Sequence, residues 1–253
     1  MKIAVLLSAG RHPVSGKPAP VPVELQAIRL AASLGAEVTG LHAGPDAAPL
    51  TDTLGYGLPR LVHYRLDAGD DPMASLAAAL REGAYDLILA GRAGQGGEDS
   101  GLLPYALASA LGLPIVADAT ALGEGSQPGT LSLEQALPRG ARRRLVVHLP
   151  ALVTVHPAAP APVPFAYAAA RRGSVETRPG IPSPRGESAL EERAYRPRPK
   201  MIAKAAAGAT AAERLKAATQ SASGGGRLLV DPAPQDAARE ILAHLREIGV
   251  LRR

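Results

Sequence analysis

The 253-residue chain is 46% hydrophobic but only 3% aromatic, with no Trp and one Phe, so its core has to be built from Ala, Leu and Val. It has no Cys, which excludes disulfides, thiolate metal sites and a Cys nucleophile and fits a reducing cytoplasm. The net charge of +5 is uneven, because residues 171–253 hold 16 basic and 9 acidic side chains and residues 1–170 hold 12 and 14.

In chain order, Lys2–Leu7 reads as a first β-strand rather than a secretory leader, since no basic region, long apolar stretch and cleavage site accompany it. Val23–Leu34 has helical apolar spacing and Gly35 stops it. Glu37–His42 is a strand, Ala47–Gly55 a short helix and Arg60–Tyr64 a third strand. Pro72–Arg81 is an Ala/Leu helix with Asp70 or Asp71 as its cap; adjacent acids at that place serve capping more readily than catalysis. Asp86–Ala90 is the fourth strand, Leu102–Leu111 the next helix, and a fifth strand begins at Leu113.

Strands alternating with helices predict an α/β fold with a parallel twisted sheet and flanking helices. Beyond it, Thr130–Leu137 and Arg143–His148 predict an antiparallel hairpin around Pro138–Ala141, with Arg142, Arg143 and Arg144 blocking an exposed edge. Ala151–His156 is another strand, Pro157–Pro164 an extended Pro-rich segment and Phe165–Arg172 a short helix. Residues 173–226 lack a continuous apolar face, and Pro234–Gly249 is a terminal helix. The domain reading is therefore 1–170 for the α/β domain and 171–253 for a long C-terminal arm. The basic arm has no interleaved aromatics, so a protein partner is expected rather than nucleic acid. No apolar run reaches the roughly 18 residues of a membrane span.

Ligands of such sheets sit beyond the carboxyl ends of the strands, which here selects Ser8–Gly10, His42–Pro45 and the loop Gly91–Gly101, GRAGQGGEDSG. The glycines of that loop let a phosphate approach, and the helix behind it offers free N–H groups; the alternative is a plain strand-to-helix loop with Ser100 as cap. It is not a P-loop, because no Gly-Lys-Ser/Thr follows, and Asp99 breaks the dinucleotide spacing. Its Gly-Gly-Glu-Asp-Ser resembles the pyrophosphate loop of adenylating ATPases, but that loop follows a first strand and this one a fourth. The histidines form no metal-binding pair, and no Gly-x-Ser-x-Gly elbow occurs. A nucleotide cleft without a catalytic set points to a binding subunit.

Several motifs in order carry a family resemblance. Asp86–Arg92, Asp99–Gly101 and Leu107–Pro114 resemble "DLILAGRQAIDGDTGQVGPQLAELLGLP" of electron transfer flavoprotein β subunits. Pro22–Leu30 resembles "NPFDEIAVEEALRL", Val38–Pro45 "VTAVSIGP", Leu149–Val155 "LPAVVTA", Val163–Arg172 "LPNIMKAKKK" and Glu240–Leu251 "LVAKLKEIGRI". The resemblance is weak over 173–233, and Ala93–Glu98, Leu102–Tyr105 and Leu7–His12 depart from the family pattern, with His12 where the family has Asp. The chain is thus similar to a divergent member.

The resemblance implies an adenine-nucleotide-hydrolase-like α/β fold and a heterodimer with an α subunit. It implies AMP held structurally in this chain and FAD held mostly by α at the interface. It implies no catalytic residues, a flavin-dependent dehydrogenase as electron donor, and membrane contact only indirectly, through an acceptor oxidoreductase. The implied nucleotide-site residues are Ser8, Ala9, Ala43, Gly91, Arg92, Asp99, Ser100, Gly101 and Leu102, with His12 at the flavin edge and Arg92 alternatively an arm toward the partner. Val163 and Phe165 are the implied dehydrogenase-docking residues. A stand-alone adenine-nucleotide sensor of the universal-stress type is the alternative; it has no need of the basic arm.

Overall fold

A computed structural model of the chain describes residues 1–12, 14–94, 100–183, 210–212, 229–247 and 250. The chain forms two units, Met1–Leu190 and Glu191–Arg253.

The first unit is built on one nine-stranded sheet. Its strands are β1 (Lys2–Leu6), β2 (Glu37–Gly44), β3 (Arg60–Arg65), β4 (Leu87–Gly91), β5 (Ile115–Glu124), β6 (Thr130–Ala136), β7 (Arg142–His148), β8 (Ala151–Val155) and β9 (Ser174–Pro179). Their order is β7-β6-β5-β8-β4-β1-β2-β3-β9. The run from β5 through β8, β4, β1, β2 and β3 to β9 is parallel, while β6 pairs antiparallel with both β5 and β7.

The helices are α1 (Pro22–Ser33), α2 (Met73–Gly83), α3 (Leu103–Leu111) and α4 (Tyr167–Arg172), with a 3-10 segment at Ala48–Tyr56. Alternate residues of β1 serve opposite faces. Ile3 and Val5, with Leu87 and Leu89, meet Leu25 and Ile28 of α1 and Leu50 of the 3-10 segment. Ala4 and Leu6, with Ile88, meet Leu76 and Leu80 of α2 and Leu107 of α3. Strands buried on both faces read as continuous apolar runs, and β4 and β8 are buried along their whole length.

The predicted elements are present, with differences at their ends. The fifth strand runs on to Glu124 and pairs antiparallel with β6, so the predicted hairpin of β6 and β7 gains a third strand. Neither Asp70 nor Asp71 is the N-cap of α2, which is Pro72; Asp71, one residue earlier, accepts the Met73 N–H with its Oδ1 at 2.9 Å. The Arg-rich strand β7 is a sheet edge, and Arg142 and Arg143 lie back on Glu134 and Gln135 of β6.

β9 is the element the sequence does not announce. Its SVETRP has exposed and half-buried positions only. Its register against β3 runs from Arg60↔Ser174 to Arg65↔Pro179. Glu176 joins Arg60 to Arg178, and Arg178 reaches Glu82 of α2 at 3.6 Å. The following turn returns to α2, where the Ile181 N–H donates to Ser75 Oγ at 2.9 Å. The sheet therefore continues past residue 170.

The Pro-rich segment before α4 is fixed by polar contacts. Gln26 Nε2 donates to the carbonyls of Pro157 at 3.1 Å and Ala159 at 2.6 Å, and Arg29 donates to the carbonyl of Ala161. The Ala166 N–H donates to Gly55 O at 2.8 Å. Phe165 stacks edge-on to Tyr56 at 5.4 Å, lying where a side chain at Gly55 would stand.

In the second unit, α5 (Pro234–Glu247) exposes Ile241 and Leu242, two members of its predicted apolar stripe. Ile248 and Gly249 of that helix lie outside the described residues.

Because β9 is held by backbone pairing and one shared carboxylate rather than by apolar burial, Glu176→Ala should loosen it selectively. Hydrogen exchange should show faster exchange over residues 174–179, with the amides of β4 unchanged.

Candidate functional site

The strand order reverses at β1, which has β2 on one side and β4 on the other. The crevice beyond the carboxyl ends of β1 and β4 is the ligand position this topology creates. Four pieces of chain meet there: residues 7–10 after β1, the first turn of α1, residues 91–94 after β4, and residues 100–102 before α3.

At the floor of the crevice, Glu24 is 3% exposed. Its Oε2 accepts the Ser8 backbone N–H at 2.8 Å, and its Oε1 is hydrogen-bonded to the Ser8 hydroxyl at 2.5 Å. No salt bridge reaches Glu24 among the described residues. Burial pushes its carboxyl up from 4.5 to about 8, against the two Ser8 hydrogen bonds, which pull it down. At neutral pH the group is therefore mainly a neutral acid.

Glycine lets the end of β4 and the residues just after it pack against this floor. A Cβ at Gly91 would lie 3.0 Å from Val23 Cγ1 and 3.3 Å from Glu24 Cγ. One at Gly94 would lie 3.4 Å from Ser8 Oγ. Gly101 has φ +69° and a Cβ there would stand 2.5 Å from Arg92 O, so both its backbone and its surroundings demand glycine.

Of the sequence-predicted residues, Ser8, Ala9, Gly91, Ser100, Gly101 and Leu102 belong to these four pieces, and Ala43 is half-buried near the end of the adjacent β2. The Ser100 hydroxyl accepts the Leu102 N–H at 3.3 Å, so it shapes the entry to α3 three residues before the helix begins at Leu103. Leu102 is exposed. Asp99 lies outside the described residues.

Arg92 turns to the β5–β8 side. Its Nε is 3.4 Å from Asp118 Oδ1, in a groove of about 250 Å³ lined also by Leu137, Pro138 and His156. Asp118 has φ +58°, where the pairing of β5 with β8 slips, and its N–H donates to Thr154 Oγ1 at 3.0 Å.

His12 is exposed and organises its own turn. Its Nδ1 accepts the N–H groups of Val14 at 3.3 Å and Ser15 at 3.2 Å. Val163 and Phe165 sit apart, on the Pro-rich segment beside the 3-10 helix, both partly exposed.

Sequence reasoning missed Glu24 as a site residue, since it stands inside an apolar helical stripe and reads as a first-turn acid. It also missed the stacked pair His42 and His63, whose ring centroids are 5.5 Å apart. His42 is 5% exposed and its Nδ1–H donates to Leu7 O at 2.9 Å. Burial holds it below the ordinary imidazole range. His63 Nε2–H donates to Gly44 O at 2.8 Å, so the pair fastens the chain at the ends of β1 and β2.

Backbone approach at glycine positions, together with a floor that carries little charge, suits an anionic small molecule. The fold is an α/β domain whose mostly parallel sheet is flanked by helices on both faces. A family model for the electron transfer flavoprotein domain matches residues 15–181. The chain is 42% identical over 259 residues to "Electron transfer flavoprotein subunit beta" of Chromohalobacter salexigens, a match that covers 100% of this chain and 96% of that protein. The chain therefore belongs to the electron transfer flavoprotein family, on the β-subunit side of it. No helix among the described residues is long and apolar enough to cross a membrane.

Two outcomes follow from this geometry. Gly101→Ala should cost roughly 1–3 kcal/mol in urea unfolding, from positive φ and the Arg92 carbonyl together. A folded-state carboxyl raised above its unfolded value stabilises fully below the unfolded value and loses that contribution as pH rises through the folded one. For Glu24 the window is pH 4.5 to about 8. Urea unfolding of Glu24→Gln should therefore gain roughly 3–5 kcal/mol on the parent chain between pH 4.5 and pH 9.

Proposed function

We propose that this chain is the β half of a heterodimeric electron transfer flavoprotein that holds AMP as a structural ligand and helps an α subunit hold FAD. The heterodimer carries electrons in the cytoplasm from a flavin-dependent dehydrogenase to an acceptor. The chain's part is to bind and orient; the flavin supplies the redox chemistry.

The observation that carries this reading is the glycine-lined crevice at the strand-order reversal, floored by Ser8 and Glu24. It fits a nucleotide phosphate in two respects. Gly91, Gly94 and Gly101 bring these segments together without side chains between them, and the buried carboxyl beside Gly91 is mainly uncharged at neutral pH. Backbone N–H groups of residues 100 and 101 would meet the phosphate, the Leu102 N–H being given to the Ser100 hydroxyl, with Ala9 and Ala43 bordering the nucleotide. Ser8 would serve as floor, because its N–H is already given to Glu24.

Arg92, on the β5–β8 side with Asp118, suits an arm toward the α subunit better than a phosphate ligand. His12 is assigned to the flavin edge. Val163 and Phe165 are apolar, partly exposed and held on a fixed segment, which suits a dehydrogenase-docking ledge. The basic second unit, with the exposed Ile241 and Leu242 of α5, is assigned to the α subunit as a docking arm. A stand-alone nucleotide sensor would leave this arm without a role, and the family match does not favour it.

Expressing the chain alone and with its α subunit, then recording the visible spectrum and analysing released nucleotides, tests the reading. Stoichiometric AMP and a flavin spectrum in the co-purified heterodimer are expected. A chain that stays monomeric, with neither AMP nor flavin in the presence of α, overturns it.

A further inference from the structure

The groove beside Arg92 lies where β4, β8 and β5 reach the carboxyl edge of the sheet, on the far side of β4 from β1. Arg92 follows β4, His156 follows β8 and Asp118 belongs to β5, while Ala136, Leu137 and Pro138 of the hairpin form the remaining wall. Its volume of about 250 Å³ is below the roughly 300–1,000 Å³ of drug-sized ligand sites, which limits its occupant to a small molecule.

Asp118 is placed by a break in the sheet. The pairing of β5 with β8 slips between Val116 and Ala119, and Asp118 takes φ +58° there. The bulge satisfies its own backbone. Gln135 Nε2 donates to Ala117 O at 2.9 Å, the Asp118 N–H to Thr154 Oγ1 at 3.0 Å and the His156 N–H to Ala119 O at 2.9 Å. The Leu137 N–H is likewise given to Ala141 O at 2.8 Å. The polar capacity left in the groove therefore belongs to side chains.

Two of those side chains are donors. Arg92 directs Nε to Asp118 Oδ1 at 3.4 Å, and its two terminal nitrogens have no partner among the described residues. His156 Nδ1 accepts the Ala158 N–H at 3.0 Å, so the neutral ring carries its proton on Nε2, which also has no partner among the described residues. A guanidinium and an imidazole N–H lining one groove suit a planar oxyanion, which a guanidinium holds through two parallel hydrogen bonds. Asp118 already answers the charge of Arg92, so the groove suits a singly charged carboxylate better than a phosphate dianion. Ala136, Leu137 and Pro138 offer an apolar wall to a short carbon chain.

We propose that this groove binds the carboxylate of a small organic acid through the Arg92 guanidinium and the His156 Nε2–H, with Asp118 setting the guanidinium in place. The inference goes beyond the AMP reading and does not depend on it. A carboxylate partner for Arg92 is also what an arm toward the α subunit would meet, and the test separates a free acid from a side chain of α.

Titrating the full-length chain at pH 7 with sodium propionate, and with sodium chloride at equal ionic strength, while following the backbone amide signals of Asp118, Leu137 and His156 by NMR tests the inference. Propionate should give a saturable shift with a Kd of roughly 1–10 mM, and chloride only a small linear drift. Arg92→Lys keeps the charge but loses the planar fork, and should weaken propionate at least tenfold. His156→Phe should do the same; Arg92 is half exposed, so its variant carries the test even where His156→Phe fails to fold. A propionate response no different from that of chloride, or an unchanged Kd in Arg92→Lys, overturns the site. Inorganic phosphate binding more tightly than propionate overturns the carboxylate assignment. Propionate binding that is lost when α is added overturns the free-acid source and leaves the groove to a carboxylate of α.

Discussion

The central strands of the sheet are buried on both faces, and that constraint governs where anything polar can happen. Between them, β1, β4 and β8 present apolar side chains to α1 on one face and to α2 and α3 on the other. No water or ligand reaches their length. The reversal of strand order then separates the chain segments that leave β1 and β4, and the gap between them is the opening the architecture offers. Glycine at 91, 94 and 101 lets these segments pack closely on one another, where a side chain would meet Val23, Ser8 or the Arg92 carbonyl.

Away from the crevice, polar contacts rather than core packing fix the chain. The Pro-rich segment cannot enter a sheet, so its carbonyls are taken by Gln26 and Arg29 of α1, and Phe165 is laid over Gly55. This holds Val163 and Phe165 in place while they stay partly exposed. β9 follows the same logic at the sheet edge, where backbone pairing to β3 and the Arg60–Glu176–Arg178 cluster replace an apolar stripe.

These two kinds of attachment explain what could be read from the sequence. Elements that bury a face leave a period, so the core strands and α1, α2 and α3 were legible, as were the turns that separate them. β9 was not, because its partners Arg60 and Glu82 lie far along the chain and its own residues show no alternation of apolar and polar. The crevice was legible as a glycine-rich loop in the right place. Its floor was not: Glu24 occupies the same local pattern as a capping acid, and only the fold shows that it faces Ser8. His42 was hidden likewise, since an imidazole in a strand gives no sign that it will reach back to the carbonyl of Leu7.

The chemistry of the floor also bears on why a chain of this family would bind without transforming. A group meant to exchange protons with a substrate has to touch it, yet Glu24 is almost fully buried, with its carboxyl hydrogen-bonded to the N–H and hydroxyl of Ser8. Its effect on anything in the crevice is therefore a field rather than a contact. A field from a buried group acts on affinity, because it shifts the energy of a bound charge without making or breaking a bond. The described side chains at this end of the sheet are turned to the protein itself: the Ser8 hydroxyl to Glu24 and the Ser100 hydroxyl to the Leu102 N–H, while Gly91, Gly94 and Gly101 let the segments that carry them pack closely.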